Sequence, residues 1–232
     1  MARGFEAGCV AAARHLSSGT RNVTIAAKSL AGFAFEPGAD VVVRLPLGDG
    51  RADERRYSVW KSSAEAGTLD VCVVQHGLGP GSRWAERCAA GDPVEIARSP
   101  ALPIALDHMA EAHVLLGDET SIASAEALIR ALPADAVVLA CFEVASVERR
   151  WPEPELVRPE SVQWVDRAGR PGSALLARLA RQSLPPANGS TVYVTGEAWL
   201  CAMVHAHVVR ERGFRADAVR AMPYWKARPR LP

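Results

Sequence analysis

Five strings in this chain combine residue types suited to holding a ligand. The first is Arg55-Arg56-Tyr57-Ser58-Val59-Trp60-Lys61. An extended segment alternates its side chains, so Arg55 and Tyr57 share one face and Ser58 takes the other or reaches a ligand through its backbone. A guanidinium fork matches a phosphate and a phenol ring stacks on a flat one. The string therefore fits a planar, anionic cofactor, and equally a basic edge strand with a half-buried Tyr. The second, His76-Gly77-Leu78-Gly79-Pro80-Gly81-Ser82-Arg83-Trp84, follows a strand pattern and opens a helix pattern. Its glycines let backbone approach a ligand, and a helix start presents free N–H groups with partial positive charge. Ser82 is the predicted cap and Arg83 adds charge. A plain turn with a capped helix explains the same residues. The spacing almost fits a dinucleotide glycine fingerprint, but no βαβ unit surrounds it.

The third and fourth strings are Gly117-Asp118-Glu119-Thr120 and Gly196-Glu197-Ala198, each between a strand pattern and a helix pattern. That is where α/β sheets bind nucleotides, and also where Asp118 or Thr120 would simply cap a helix. The fifth is Tyr224-Trp225-Lys226, with Arg228 and Arg230 beyond it, either a ligand contact or a docked tail. His205 and His207 lie two apart on a predicted helix and face different ways, so they make a poor metal site. His15, His108 and His113 join no constellation.

The elements that must carry these strings change character near residue 100. Before it, short β-type runs occur at Asn22–Ala26, Val41–Leu45, Leu69–Val74 and Pro93–Ala97. Turn signals separate them at Pro37-Gly38, Gly48-Asp49-Gly50 and Gly91-Asp92, which indicates a small antiparallel barrel or sandwich. One helix should interrupt it, from near Ser82 to a stop at Gly91. Beyond Ser99–Pro103 the rhythm lengthens. Apolar runs at His113–Leu116, Ala136–Ala140, Val162–Val165, Val192–Thr195 and Ala218–Ala221 alternate with helices. The first of these has Ile122, Ala125, Ile129 and Leu132 on one face, and the others cover Ser173–Ser183 and Ala198–Arg212, the last stopped by Gly213. That alternation predicts a parallel, helix-covered sheet. The expected division is a barrel over 1–103 and an α/β domain over 104–232.

Composition bounds the function. The length of 232 residues is one large domain or two small ones, and Lys+Arg 27 against Asp+Glu 26 leaves +1. That balance gives no electrostatic case for nucleic acid or an acidic membrane. No apolar run is long enough to span a bilayer and the first residues lack a signal-peptide core, so a cytoplasmic protein is expected. The cysteines, Cys9, Cys72, Cys88, Cys141 and Cys201, number five with no close pair, which argues against a disulfide framework or a zinc site.

Taken together the strings resemble the ferredoxin–NADP reductase superfamily. Within it they are most similar to the siderophore-interacting protein family, the flavin-dependent ferric-siderophore reductases. The likeness rests on Arg55–Ser58, His76–Ala85, Gly91–Ile96, Gly117–Thr120, Gly196–Ala198 and Tyr224–Lys226, in that order along nearly the whole chain. It implies an antiparallel Greek-key FAD-binding barrel followed by a parallel-sheet nucleotide-binding domain. It implies Arg55 on the FAD phosphate, Tyr57 against the isoalloxazine and Ser58 near flavin N5. It implies His76 and Gly79, Gly81, Ser82, Arg83 and Trp84 around the pyrophosphate and adenosine. Asp118, Glu119, Thr120, Gly196 and Glu197 would line the site of NADPH or NADH. Trp60, Lys61, Tyr224, Trp225 and Lys226 would meet a ferric siderophore or another small acceptor, with no resident metal. The implied activity is transfer of electrons from NAD(P)H through FAD to siderophore-bound Fe(III).

The chain also departs from the family pattern. Trp60 stands where a basic residue is expected, leaving Lys61, with Lys226 or Arg228, to attract an anionic chelate. Trp199 stands where a small residue is usual, Ala123 where a Pro is usual, and Ala97–Pro100 lacks a Gly-rich form. These differences keep two other readings open. One is a flavoprotein of the same fold that supplies a redox partner or tailors a small molecule. The other is a module that binds a ferric chelate or nucleotide without catalysis. Arg149 and Arg150 follow the second α/β strand and either meet a 2′-phosphate or form a solvated loop.

Overall fold

A computed structural model describes residues 4–47, 51–77, 79–100 and 102–227. The predicted turn at Gly48–Gly50, residues Leu78 and Ala101, and the basic residues Arg228 and Arg230 lie outside the described residues. The chain divides into two compact units, Met1–Ala105 and Leu106–Pro232.

The first unit is a closed six-stranded antiparallel barrel in the order β1-β2-β5-β4-β3-β6. Its strands are β1 (Glu6–Ser17), β2 (Thr20–Ala27), β3 (Asp40–Pro46), β4 (Ala52–Ser63), β5 (Thr68–Val74) and β6 (Pro93–Arg98). Period-2 alternation builds the core: Val23 and Ile25 of β2, Val41, Val43 and Leu45 of β3, Leu69, Val71 and Val73 of β5, and Val94 and Ile96 of β6 all point inward. The sheet closes because β1 pairs with both β2 and β6. Pattern reading misses β1 altogether. Its sequence EAGCVAAARHLS is alanine-rich, buries only Val10 and Leu16, and shifts register twice against β2, so no clean alternation marks it.

The helix of this unit, α1 (Pro80–Arg87), starts two residues before the expected Ser82 and ends before Gly91. Pro80 at the first helical position explains the early start, since its fixed φ suits a helix and its missing N–H costs nothing there. Gly91, at φ +95°, instead makes the turn into β6.

The second unit is a five-stranded sheet in the order β11-β10-β7-β8-β9, with every neighbouring pair parallel. The strands are β7 (Ala112–Asp118), β8 (Val137–Val144), β9 (Val162–Asp166), β10 (Ser190–Glu197) and β11 (Val219–Trp225). Helices α2 (Ile122–Arg130), α3 (Ser173–Arg181) and α4 (Ala198–Glu211) follow β7, β9 and β10. The chain runs outward from β7 through β8 to β9, then returns to the other side of β7 for β10. That reversal makes a switch point between β7 and β10, and parallel sheets hold ligands outside the carboxyl ends of such a strand pair. Tyr224 and Trp225, read from the sequence as either a ligand contact or part of a docked tail, are the last residues of β11. Among the described residues no helix is long and apolar enough to cross a membrane.

Candidate functional site

On the barrel, Asp53, Arg55 and Tyr57 share one face of β4 because strand side chains alternate. Arg55 forms a two-pronged ion pair with Asp53: Nη1 donates to Oδ1 at 2.6 Å and Nη2 lies 2.5 Å from Oδ2. Arg56, on the opposite face, pairs with the buried Asp40, its Nε 2.9 Å from Oδ2. Tyr57 is half-buried against the barrel core and its ring lies 6.2 Å from that of Trp84. Burial pushes its phenol well above the ordinary value, so it stays a neutral hydrogen-bond donor. The phenol oxygen abuts the start of α1, where a Cβ on Gly81 would come within 2.3 Å of it.

The start of α1 is not capped as expected. Gly79 is the N-cap and no side chain caps the helix. Ser82 lies inside the helix, buried, and its hydroxyl accepts from the His76 N–H at 3.2 Å and donates to the Val74 carbonyl at 3.4 Å. Ser82 therefore ties the helix start to the end of β5. His76 and Arg83 are exposed, and the His76 ring stands against Gly79, 2.9 Å from where a Cβ would be. An uncapped helix start, a guanidinium fork, an exposed arginine and a pair of flat rings on one barrel match a flavin nucleotide's phosphates and ring system. The donor set fits FAD.

Ser58 is half-buried and sits in register with Asp40. Trp60 does not present its ring as expected: it is 2% exposed, at a register shift between β4 and β5. Lys61 is half-buried, its ammonium 3.8 Å from the centre of the Trp60 ring.

At the carboxyl edge of the sheet, the acidic residues turn inward. Asp118 is buried and accepts four hydrogen bonds: at Oδ1 from Thr120 N–H (2.8 Å) and Thr120 Oγ1 (2.6 Å), and at Oδ2 from Glu197 N–H (2.9 Å) and Trp225 Nε1 (2.8 Å). Glu197 caps α4 by accepting from Trp199 N–H and Leu200 N–H, and its other oxygen accepts from Ala227 N–H at 3.0 Å. Glu119 accepts from Ala145 N–H at 2.5 Å and lies 3.6 Å from Arg167. These side chains, expected to line a nucleotide site, are engaged in hydrogen bonds and ion pairs within the protein. Burial raises the Asp118 carboxyl above its ordinary value, partly offset by the bonds it accepts.

The two glycines of these turns are themselves buried and closely packed. A Cβ on Gly117 would meet Ser121 Oγ at 2.1 Å and the Thr195 carbonyl at 2.6 Å. Gly196, at φ +112°, would drive one into the Asp118 carboxylate. Beside them Trp199 is half-buried with the Arg170 guanidinium 4.4 Å over its ring. Lys226 is exposed, and Tyr224 and Trp225 are half-buried. Arg149 lies 3.9 Å from Glu119, and Arg150 pairs with Asp166 at 2.8 Å. Sequence reading passed over Asp53, Glu143 and Arg167. Glu143 accepts from Gly172, Ala174 and Leu175 N–H groups and from Arg167. Only Asp53 carried a usable signal, its two-residue spacing from Arg55 on a strand.

A closed antiparallel barrel followed by a parallel, helix-covered sheet is the ferredoxin-reductase-like fold. Family models sharpen this: residues 110–228 match "Siderophore-interacting protein" and residues 46–102 match "Siderophore-interacting FAD-binding domain". The chain belongs to the siderophore-interacting protein family. It is 25% identical to the ferric vibriobactin reductase of Vibrio cholerae, over 92% of this chain and 86% of that protein. The crystal structure of a siderophore utilization protein from T. fusca superposes with a TM-score of 0.78 at 26% identity, covering 96% of this chain and 93% of that one. The siderophore-interacting protein SipS from Aeromonas hydrophila shares the fold, with a TM-score of 0.82 at 24% identity over 97% of this chain and 92% of that one.

Proposed function

We propose that this protein is a cytoplasmic FAD-dependent oxidoreductase that uses NAD(P)H to reduce ferric siderophores, converting Fe(III) to Fe(II) so that iron leaves its chelate. The barrel cradle of Arg55, Tyr57, Trp84 and the uncapped start of α1 carries this reading. Barrel residues 1–103 hold FAD and sheet residues 104–232 receive the nicotinamide nucleotide. Arg55 meets the diphosphate, Tyr57 lies against the ring and Ser58 stands by its reactive edge. His76, Gly79, Gly81, Ser82, Arg83 and Trp84 surround the diphosphate and adenosine. Bound FAD supplies the conversion between a two-electron donor and a one-electron acceptor, so one nicotinamide oxidised balances two Fe(III) reduced.

At the sheet, the turns Gly117–Thr120 and Gly196–Glu197 line the donor's site, and the hydrogen bonds of Asp118, Glu119, Thr120 and Glu197 fix their shape. Lys61 on the barrel offers a cation to the anionic chelate, and so does Lys226 on the sheet, next in the chain to Tyr224 and Trp225 at the end of β11. The Trp199–Arg170 pair beside the switch point supports a second reading, the same flavoprotein serving a redox partner or another small organic substrate. One anaerobic experiment separates them. FAD-loaded protein is given NADPH and then a ferric siderophore with an Fe(II) trap. Bleaching of the flavin bands followed by recovery as Fe(II) appears is the expected result. Flavin bands that neither NADPH nor NADH can bleach would overturn the donor assignment, and bleached bands that no ferric chelate restores would favour the second reading. Lys61→Ala and Lys226→Ala, made separately, should each raise KM for the chelate; an unchanged KM would remove that lysine from chelate binding.

A further inference from the structure

The guanidinium proposed to bind the FAD diphosphate is already committed. Both Arg55 terminal nitrogens face Asp53, at 2.6 and 2.5 Å, and Nη1 also donates to the Glu54 carbonyl at 3.1 Å. Nη1 and Nη2 form one of the two edges that a guanidinium can offer a phosphate in a two-pronged contact. The neighbouring arginine offers no substitute, because Arg56 points to the opposite face and is held by Asp40. Asp53 also sits on the same strand face as Tyr57 and acts on that phenol electrostatically, as Arg55 does, so its charge reaches the cradle itself.

We infer that Asp53 is a rival anion for Arg55, built into the FAD site, and that it makes this flavin a dissociable cofactor rather than a permanent one. The inference rests on the reading of Arg55 as the diphosphate contact. Binding FAD requires the diphosphate to displace Asp53 from the fork or share it, while the carboxylate repels the incoming charge. Asp53 is about a quarter exposed and Arg55 nearly half, so solvent screens both and the penalty is modest. It acts through Arg55 and is a positioning residue, one that lowers affinity. Loss of a positioning residue ordinarily weakens a ligand, so tightening on its removal is an effect that structural damage cannot imitate.

The test is a titration of apoprotein with FAD, followed by flavin fluorescence, in the full-length protein and in Asp53→Asn, Asp53→Ser, Arg55→Gln and the Asp53→Asn/Arg55→Gln pair. Removing the rival should lower the FAD Kd about three- to ten-fold in both Asp53 variants. Arg55→Gln alone should raise it about 10- to 100-fold. In the pair, the gain from Asp53→Asn should shrink, since the fork it frees is gone. If Arg55→Gln weakens FAD but neither Asp53 variant tightens it, the rivalry is wrong and the diphosphate contact stands. If Arg55→Gln leaves FAD affinity unchanged, the contact itself is wrong and the inference falls with it.

Discussion

Asp118, Glu197 and the glycines beside them act as one interlocked unit at the sheet edge, and single atoms decide what each position tolerates. An added methyl at Gly117 lands on Ser121 and on the Thr195 carbonyl, which is backbone and cannot swing aside. Gly117→Ala should therefore cost about 1–3 kcal/mol as overpacking, measured by denaturant unfolding. Gly4→Ala, where a Cβ meets nothing within 4 Å, should be near neutral by the same assay. Asp107 gives a pH-dependent case. Its carboxyl is held below the ordinary range, chiefly by the Thr191 hydroxyl at 2.9 Å and also by the Met109 N–H and Arg220. A depressed acid stabilises the fold above its unfolded pKa of about 3.9, and that contribution is lost as pH falls through the lower folded value. Asp107→Asn should thus lower the melting temperature at pH 7, and the gap should close as the pH is taken well into the acid range. A gap that stays constant with pH would mean that shape, not charge, matters there.

Helix α4 shows how an element is set in place. Leu200 is buried, and its Cβ would stand 2.6 Å from a Cβ on Gly172 at the start of α3. The first turn of α4 is thus wedged between the Glu197 cap and the backbone at Gly172. Leu200→Ala should cost about 2–5 kcal/mol and should raise amide exchange across α4 and β10 while leaving the barrel strands protected. Most of these elements were legible. Each barrel strand with clean alternation was recognised, as were all five strands and all three helices of the sheet. What failed did so for physical reasons. Strand β1 buries too few large side chains to show a period, and α1 begins at a proline rather than at its serine. Strand β11 runs on to Trp225 because a side-chain bond from Trp225 to Asp118 holds its end, and nothing in the local pattern announces that bond.

On the scale of the whole molecule, FAD links binding to stability. A ligand that binds only the folded state at about 100 times its Kd adds about 2.7 kcal/mol. FAD at that excess should raise the unfolding midpoint of the protein by the corresponding amount. Arg55→Gln, at the same FAD concentration, should lose most of the gain without a matching loss in the absence of FAD, because Arg55 is a partly exposed surface side chain. An equal loss with and without FAD would show that Arg55 serves the fold and not the cofactor.

The sequence by itself determined the class of each half, since side-chain period and turn chemistry are local properties that the chain carries wherever it goes. It also marked the strings proposed to line the site, without deciding between a ligand contact and an edge strand, a turn or a helix cap. Only the tertiary structure decided which of those side chains remain available. Asp118 and Trp225 are 107 residues apart, and their bond exists because β10 lies between β7 and β11 and brings the three strand ends together. Strand order and register set that meeting. The same long-range arrangement engaged the acidic residues that sequence would offer to a nucleotide in hydrogen bonds within the protein, while in the barrel Trp60 is buried at a register shift between β4 and β5, where a surface ring was expected.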